Sequence, residues 1–94
     1  MTDNNKYSKT FMIKNKLGLH ARAAASLVKL TNKFNSDIKI IKEGTEADGK
    51  SILGILSFAA IKGTVITIVA EGEDADSAIS DIEKLIESGF GEGV

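Results

Sequence analysis

Apolar residues in this chain change their spacing repeatedly within 94 residues, and that alternation leaves few folds open. In four short segments they alternate with polar residues, as in strands that bury one face. In three other segments they recur every three or four residues, which predicts helices. The predicted order is βαββαβα, with no repeat, linker or low-complexity segment between the elements. This order favours the α+β class, with one antiparallel sheet covered on one face by helices.

The predicted strands are residues 7–13, 38–41, 45–47 and 64–71, and the predicted helices are residues 21–34, 51–58 and 75–88. Gly89 is predicted to stop the third helix, and either Asp74 or Asp76 is predicted to cap its start. The residues predicted to face the core are Tyr7, Phe11 and Ile13 in the first strand, Ala24, Leu27, Val28 and Phe34 in the first helix, Ile66, Ile68 and Ala70 in the last strand, and Ala75, Ala78, Ile79, Ile82, Leu85 and Ile86 in the third helix.

Length and composition limit the class of protein. Residues 1–94 are predicted to form one domain, with residues 1–6 disordered because they are polar. The chain has no cysteine, which excludes disulfides and thiolate metal sites and fits a reducing compartment. Its longest mostly apolar run, residues 52–61, is too short to span a bilayer. These features argue against secretion and membrane insertion and favour a cytoplasmic location.

Charge is distributed unevenly along the chain. Residues 1–70 carry eleven Lys and Arg against five Asp and Glu, a balance of +6, whereas residues 71–94 carry one Lys against eight Asp and Glu. Either these charges are simply solvated, or the basic part steers an acidic protein partner. Nucleic acid is not favoured as a partner, because no basic cluster is interleaved with the five aromatic residues.

The single histidine and the single arginine lie two residues apart, at His20 and Arg22. A Leu-Gly-Leu turn precedes them and an Ala-rich run follows, which predicts that His20 stands at a helix N-terminus. Free backbone N–H groups and the helix dipole make such an end an anion site. The helix end and Arg22 both disfavour a protonated ring, so a neutral imidazole could attack a phosphoryl group. The alternative is a capping histidine beside a surface arginine.

Three motifs carry a resemblance to a known family. The sequence Leu17-Gly18-Leu19-His20-Ala21-Arg22, followed by the Ala-rich run, resembles the active-site motif of HPr, the histidine-containing phosphocarrier of the bacterial phosphotransferase system. The segment from Gly49 to Leu56 resembles the family's second motif, around a regulatory serine, and Lys62 to Ile68 resembles its last strand. The resemblance covers residues 9–92. One departure is Ala23, where the family usually has proline.

The resemblance implies an open-faced β-sandwich, in which three helices cover one face of a four-stranded antiparallel sheet. It implies that phosphoenolpyruvate phosphorylates Enzyme I, that His20 accepts the phosphoryl group on Nδ1, and that His20 passes it to IIA domains of sugar permeases. Arg22, with the backbone N–H groups of Ala21 and Arg22, would hold the phosphate. The expected protein is a monomeric carrier in a relay rather than a stand-alone enzyme, without metal or cofactor.

Ser51 is predicted to be the N-cap of the second helix. The resemblance implies a second role, because a dedicated HPr kinase/phosphorylase modifies this serine in many members of the family. In other members the serine is present and not used, so the sequence leaves phosphorylation of Ser51 open. The candidate residues for partner docking are Leu19, Lys50, Ile52, Leu53 and Leu56.

Two related functions stay open at this point. The segments Asn15–Gly18, Glu43–Ala47 and Ser88–Phe90 look somewhat like the nitrogen-type branch of the family, NPr, which serves regulation rather than sugar uptake. A purely regulatory binding module is a further alternative, and the presence of both His20 and Arg22 argues against it.

A rival motif points to a different class of protein. Residues 44–51, Gly-Thr-Glu-Ala-Asp-Gly-Lys-Ser, match the phosphate-loop pattern G-x-x-x-x-G-K-[ST], and residues 65–71 resemble a strand ending in a magnesium carboxylate. A nucleotide-binding domain needs more parallel strands than this chain can supply. Glu46 and Asp48 would also place negative charge in the loop that must surround phosphates. Nucleotide binding is therefore a remote alternative.

Overall fold

A computed structural model describes residues 5–92 of the chain. Its elements are β1 (Lys6–Met12), α1 (Ala21–Thr31), β2 (Asp37–Lys42), β3 (Thr45–Asp48), α2 (Ile52–Leu56), β4 (Val65–Glu71) and α3 (Ala75–Glu87). The predicted order βαββαβα is confirmed. The predicted disorder of residues 1–6 is wrong for Lys6, which pairs with Glu71 across two strands, and for Asn5, whose carbonyl accepts a hydrogen bond from Gly72. Residues 1–4 lie outside the described part.

The four strands form one antiparallel sheet in the order β1-β4-β2-β3. Strands β4 and β2 therefore occupy the centre, while β1 and β3 are the edges. Phe11 lies opposite Ile66, and Ile40 lies opposite Ile68, so apolar residues face each other across neighbouring strands. Ile66, Ile68 and Ala70 are buried, as their alternation predicts.

The helices cover one face of this sheet and enclose the core. Of the predicted stripe on α1, Ala24 and Leu27 are buried, whereas Val28 and Phe34 are half-buried. The sequence predicts Tyr7 in the core, and this is wrong: Tyr7 is 44% exposed near the start of β1, which is an edge strand with a neighbour on one side only.

Helix α3 is amphipathic and buries the residues its spacing predicts, apart from Leu85, which is partly buried. A Schellman motif ends it, in which the N–H of Phe90 donates to the carbonyl of Leu85 and the N–H of Gly89 donates to that of Ile86. No helix within residues 5–92 combines the length and the apolar character needed to cross a membrane.

Asp74 occupies the N-cap position of α3, but its side chain does not cap the helix. Its carboxylate accepts hydrogen bonds from the backbone N–H groups of Asn35 and Ser36 and from the Ser36 hydroxyl. The predicted position is correct, whereas the expected capping bond is replaced by a contact with the loop after α1. Asp74 thereby joins the end of one helical segment to the start of another.

The phosphate-loop interpretation is wrong. Residues 45–48 form β3, which pairs with β2 in an antiparallel hairpin instead of a phosphate-binding loop. The N–H of Gly49 donates to the Ile38 carbonyl, and the N–H of Lys50 donates to the Asp48 carboxylate. Because these N–H groups already have acceptors, they are not available to surround a nucleotide phosphate.

Candidate functional site

His20 is the N-cap residue of α1, as the sequence predicts. Its backbone is extended, and its carbonyl accepts the first helical hydrogen bond, from the N–H of Ala24 at 2.8 Å. The imidazole makes no capping hydrogen bond with the helix. The N–H groups of Ala21, Arg22 and Ala23 belong to the first turn, where the helix itself offers no acceptors. The helix start therefore combines a ring that does not cap the helix with several N–H donors.

The loop before His20 is fixed by close packing against the segment at Ala60. Gly18 has φ +70°, and a Cβ added there would lie 2.4 Å from the Ala60 carbonyl oxygen, so only glycine fits. The N–H of Leu19 donates to that same carbonyl at 2.8 Å. The hydrogen bond to Ala60 places the side chain of Leu19 in the core.

Leu19 is only 3% exposed, so its predicted role in docking a partner is wrong. The leucine that stays outside is Leu17, which is 68% exposed on the same loop. The physical reason is the turn at Gly18, which sends the two leucines to opposite sides of the loop.

The side chain of Asn15 closes the turn that directly precedes His20. Its side chain is fully buried, and its Nδ2 donates to the Gly18 carbonyl at 2.7 Å and to Oε1 of Glu92 at 3.1 Å. Its Oδ1 has no hydrogen-bond partner among the described residues. Asn15 therefore joins the histidine loop to a residue far away in the sequence.

Glu92 contacts the histidine directly, with 2.6 Å between its Oε2 and His20 Nε2. Three consecutive residues with positive φ, Gly89, Phe90 and Gly91, curl the chain after α3, and Phe90 is buried. This curl returns the chain to the start of α1. Neither Asn15 nor Glu92 is predicted from the sequence as a residue of the site. The Gly-Phe-Gly-Glu run signals a turn, but its spacing does not reveal where the turn leads.

The carboxylate of Glu92 lies in a partly dehydrated and positively charged setting. Taken by itself, burial would raise the pKa of Glu92. Hydrogen bonds from Asn15 and His20, together with the charges of His20 and Arg22, outweigh that effect and lower the pKa of Glu92 below its ordinary value. Arg22 is exposed, and its charge reaches Glu92 from the first turn of α1.

Ser51 is the N-cap of α2, as predicted, and its Oγ accepts a hydrogen bond from the N–H of Gly54 at 3.1 Å. The candidate docking residues that follow it divide into two groups. Ile52 and Leu53 are exposed, Leu53 by 80%, whereas Leu56 is half-buried against the core. Lys50 is half-buried, and its ammonium donates to the Phe34 carbonyl at 2.8 Å.

The chemistry available at the start of α1 is that of a nucleophile beside an anion site. An imidazole can form a covalent bond to phosphorus, while helix N–H groups and a guanidinium can hold the phosphoryl oxygens. Within residues 5–92, no three His, Cys, Asp or Glu side chains gather as metal ligands. The arrangement is typical of a phosphoryl acceptor.

Comparison with known proteins gives matches over most of the chain. A family model described as the PTS HPr component phosphorylation site matches residues 7–88. The phosphocarrier protein HPr of Xylella fastidiosa (strain 9a5c) is 43% identical over 81 residues, covering 86% of this chain and 91% of that protein. The phosphocarrier protein NPr of Shewanella violacea is 39% identical over 87 residues, covering 93% and 96%.

The fold agrees with these matches. The crystal structure of HPr-C-His from Thermoanaerobacter tengcongensis has a TM-score of 0.90 and 44% sequence identity, covering 94% of this chain and 99% of that one. Its likeness extends over the four-stranded antiparallel sheet and the three helices that cover it. From its fold, its matched residues and the identity to these relatives, the chain belongs to the HPr/NPr family of phosphocarriers of the phosphotransferase system.

Proposed function

We propose that His20 accepts a phosphoryl group from phospho-Enzyme I and passes it to IIA domains. The observation that supports this most directly is the start of α1. There an imidazole free of capping bonds, the unpaired N–H groups of the first turn and the guanidinium of Arg22 occur together. The family to which the chain belongs consists of phosphocarriers, and this is the described position that combines a nucleophile with an anion site.

In the proposed transfer, the lone pair of His20 Nδ1 forms a bond to phosphorus. The bond between phosphorus and the donor group of Enzyme I breaks, and its electron pair leaves with that group. The N–H groups of Ala21 and Arg22 and the Arg22 side chain take up the negative charge on the phosphoryl oxygens. Transfer to a IIA domain repeats these steps with His20 as the leaving group, and no cofactor takes part.

Docking is proposed to use the exposed apolar side chains of Leu17, Ile52 and Leu53. Leu17 belongs to the histidine loop, and the other two begin α2, which packs against α1. Exposed apolar side chains that share one surface mark a candidate protein interface. Lys50 would contribute charge at the rim of this surface.

Ser51 is proposed as a regulatory site for an HPr kinase/phosphorylase. Its hydroxyl caps α2 directly before Ile52 and Leu53, so a phosphate there would place negative charge beside the docking side chains. The proposed carrier acts as a monomer in the cytoplasm.

A phosphotransfer assay tests the main proposal. With phosphoenolpyruvate and Enzyme I, we expect one acid-labile, base-stable phosphate per wild-type chain and no label in His20→Ala. Circular dichroism of the variant controls for folding, and Ser51→Ala, which retains His20, controls for the assay. Label that persists in folded His20→Ala would overturn the proposed phosphoryl acceptor.

The same assay separates the sugar-type carrier from the nitrogen-type alternative. Both branches have relatives of similar identity to this chain, at 43% and 39%. Purified sugar-type and nitrogen-type IIA domains, offered in parallel to the phosphorylated chain, reveal the branch by which domain becomes labelled faster.

A further inference from the structure

The Glu92 carboxylate is shared between two hydrogen-bond partners at the site. Its Oε2 lies 2.6 Å from His20 Nε2, and its Oε1 accepts from Asn15 Nδ2 at 3.1 Å. The side chains of His20 and Glu92 are 27% and 20% exposed, so both keep partial contact with water. Asn15 is itself fully buried and bonded to the Gly18 carbonyl, so it holds Glu92 against the histidine loop.

The protonation state of Glu92 decides which atom donates in the contact with His20. Its pKa is lowered, because the bonds from Asn15 and His20 and the nearby positive charges outweigh the effect of burial. The carboxylate is therefore ionised near neutral pH and can only accept hydrogen bonds. The proton in the contact must then reside on Nε2 of the ring. In a neutral imidazole, this leaves a lone pair on Nδ1.

We propose that Glu92 is a positioning residue, which fixes His20 as the Nε2–H tautomer and orients Nδ1 for phosphoryl transfer. This inference rests on the proposed function of His20. Among the described residues Nδ1 has no hydrogen-bond partner, so its lone pair is free to attack. Asn15 supports this role by fixing the second oxygen of the carboxylate.

Glu92 also acts on the product of the transfer. When Nδ1 forms its bond to phosphorus, the proton on Nε2 stays in place and the ring acquires a positive charge. The Glu92 carboxylate lies against the nitrogen that carries this proton, and it stabilises that charge. Its interaction is therefore stronger in the phosphorylated state than before attack, which is the condition for accelerating the step.

Nitrogen NMR of the ring and transfer kinetics test the proposal together. At about pH 8, where an unperturbed histidine is neutral, we expect wild type to show a protonated Nε2, an unprotonated Nδ1 and a downfield Nε2–H proton. In Glu92→Gln this proton should move upfield. The transfer rate at saturating Enzyme I should fall about fivefold, because an ionised acceptor is replaced by a neutral one.

Glu87→Gln is the matched control for charge. Glu87 lies at the end of α3 and pairs with Lys14, so the variant removes one negative charge without touching the histidine. We expect its ring spectrum and its transfer rate to match those of wild type. Because Glu92 is assigned to ring geometry and not to docking, KM for Enzyme I should stay the same in Glu92→Gln while kcat falls.

Three outcomes would overturn the positioning role. These are a wild-type ring protonated on Nδ1, an unchanged Nε2–H resonance in Glu92→Gln, and an unchanged kcat in that variant. The failure of the proposed function is recognised separately. In that case wild type itself takes no phosphate on His20, whatever the ring spectrum shows.

Discussion

Ala23 stands at the third position of α1, where the family resemblance predicts proline. Its side chain is fully buried, and its N–H makes no bond to the His20 side chain. Proline at this position therefore removes no helical hydrogen bond, and it reduces the freedom of the unfolded chain. The cost is a restriction on Arg22 before it.

We expect Ala23→Pro to stabilise the protein by about 0.4–1 kcal/mol, with phosphotransfer retained or somewhat faster. Thermal melts and transfer rates measure both effects. Ala25→Pro is the control, because proline at an interior position breaks a helical hydrogen bond and should destabilise by about 3 kcal/mol or more. Loss of both stability and rate in Ala23→Pro would mean that the Ala23 N–H is in use.

At this same scale, local sequence predicts some members of the site and not others. His20 and Ser51 are each identified by neighbouring residues that start a helix, so their positions follow from the sequence. Glu92 is 72 residues from His20, and its place depends on the curl after α3. No local pattern specifies a contact of that kind. Leu19 shows the same limit, since its burial is decided by packing against Ala60.

Among the elements, α3 depends on Asp74 for its connection to the loop after α1. The hydrogen bond from the Ser36 hydroxyl, then that from the Asn35 N–H, lowers the pKa of Asp74 below its ordinary value of 3.8, although burial opposes the shift. A lowered folded-state pKa means that the bound carboxylate stabilises the fold above the unfolded-state value. This contribution is lost as the pH falls through the folded-state pKa.

Asp74→Asn should therefore be less stable than wild type above about pH 5, and the difference should shrink toward about pH 3. Urea unfolding across this range measures it. Because Glu92 titrates in both proteins, comparing the two isolates Asp74. Asp76→Asn removes a carboxylate whose one hydrogen bond within residues 5–92 comes from the neighbouring Ser77 N–H, and it serves as the control. A stability difference that stays constant with pH would contradict the stabilising role of the ionised Asp74 carboxylate between α3 and the loop after α1.

Element types follow from the period of the apolar residues, but element ends do not. Helix α1 stops at Thr31 instead of residue 34, because Asn32 turns its side chain back to the Val28 carbonyl and the next residues form tighter turns. Helix α2 ends at Leu56, two residues short of the prediction, and the N–H of Phe58 donates to the Ile55 carbonyl in a similar turn. At these ends, side chains and tighter turns compete with the helix for the backbone carbonyls. The spacing of apolar residues does not encode that competition.

For the molecule as a whole, part of the charge asymmetry is satisfied internally. The acidic helix α3 pairs with basic residues of β1 and the following loop, through Lys9 with Glu83 at 2.6 Å and Lys14 with Glu87. The sequence expectation that an acidic partner approaches the basic part therefore applies to the remaining charges, among them Arg22 and Lys50.

Ser51→Asp should slow transfer from Enzyme I while leaving the fold intact. Aspartate is a good N-cap and favours the helix dipole, so stability should hold or rise slightly. The added negative charge would repel an acidic partner, and the slowing should be greatest at low ionic strength. Ser51→Asn, which caps the helix without charge, is the control. Equal transfer rates for the two variants at low salt would refute this model of docking.

The order of the strands also has a consequence for biosynthesis. Among the described strands, β1 pairs only with β4, which begins more than fifty residues later in the chain. During translation, the first strand leaves the ribosome long before its partner exists. Until then its backbone N–H and C=O groups are hydrogen-bonded to water. The central strand β4 completes the sheet only when most of the protein has been made. Folding is therefore expected to be a late event of synthesis, governed by long-range pairing rather than by the early helix that carries His20.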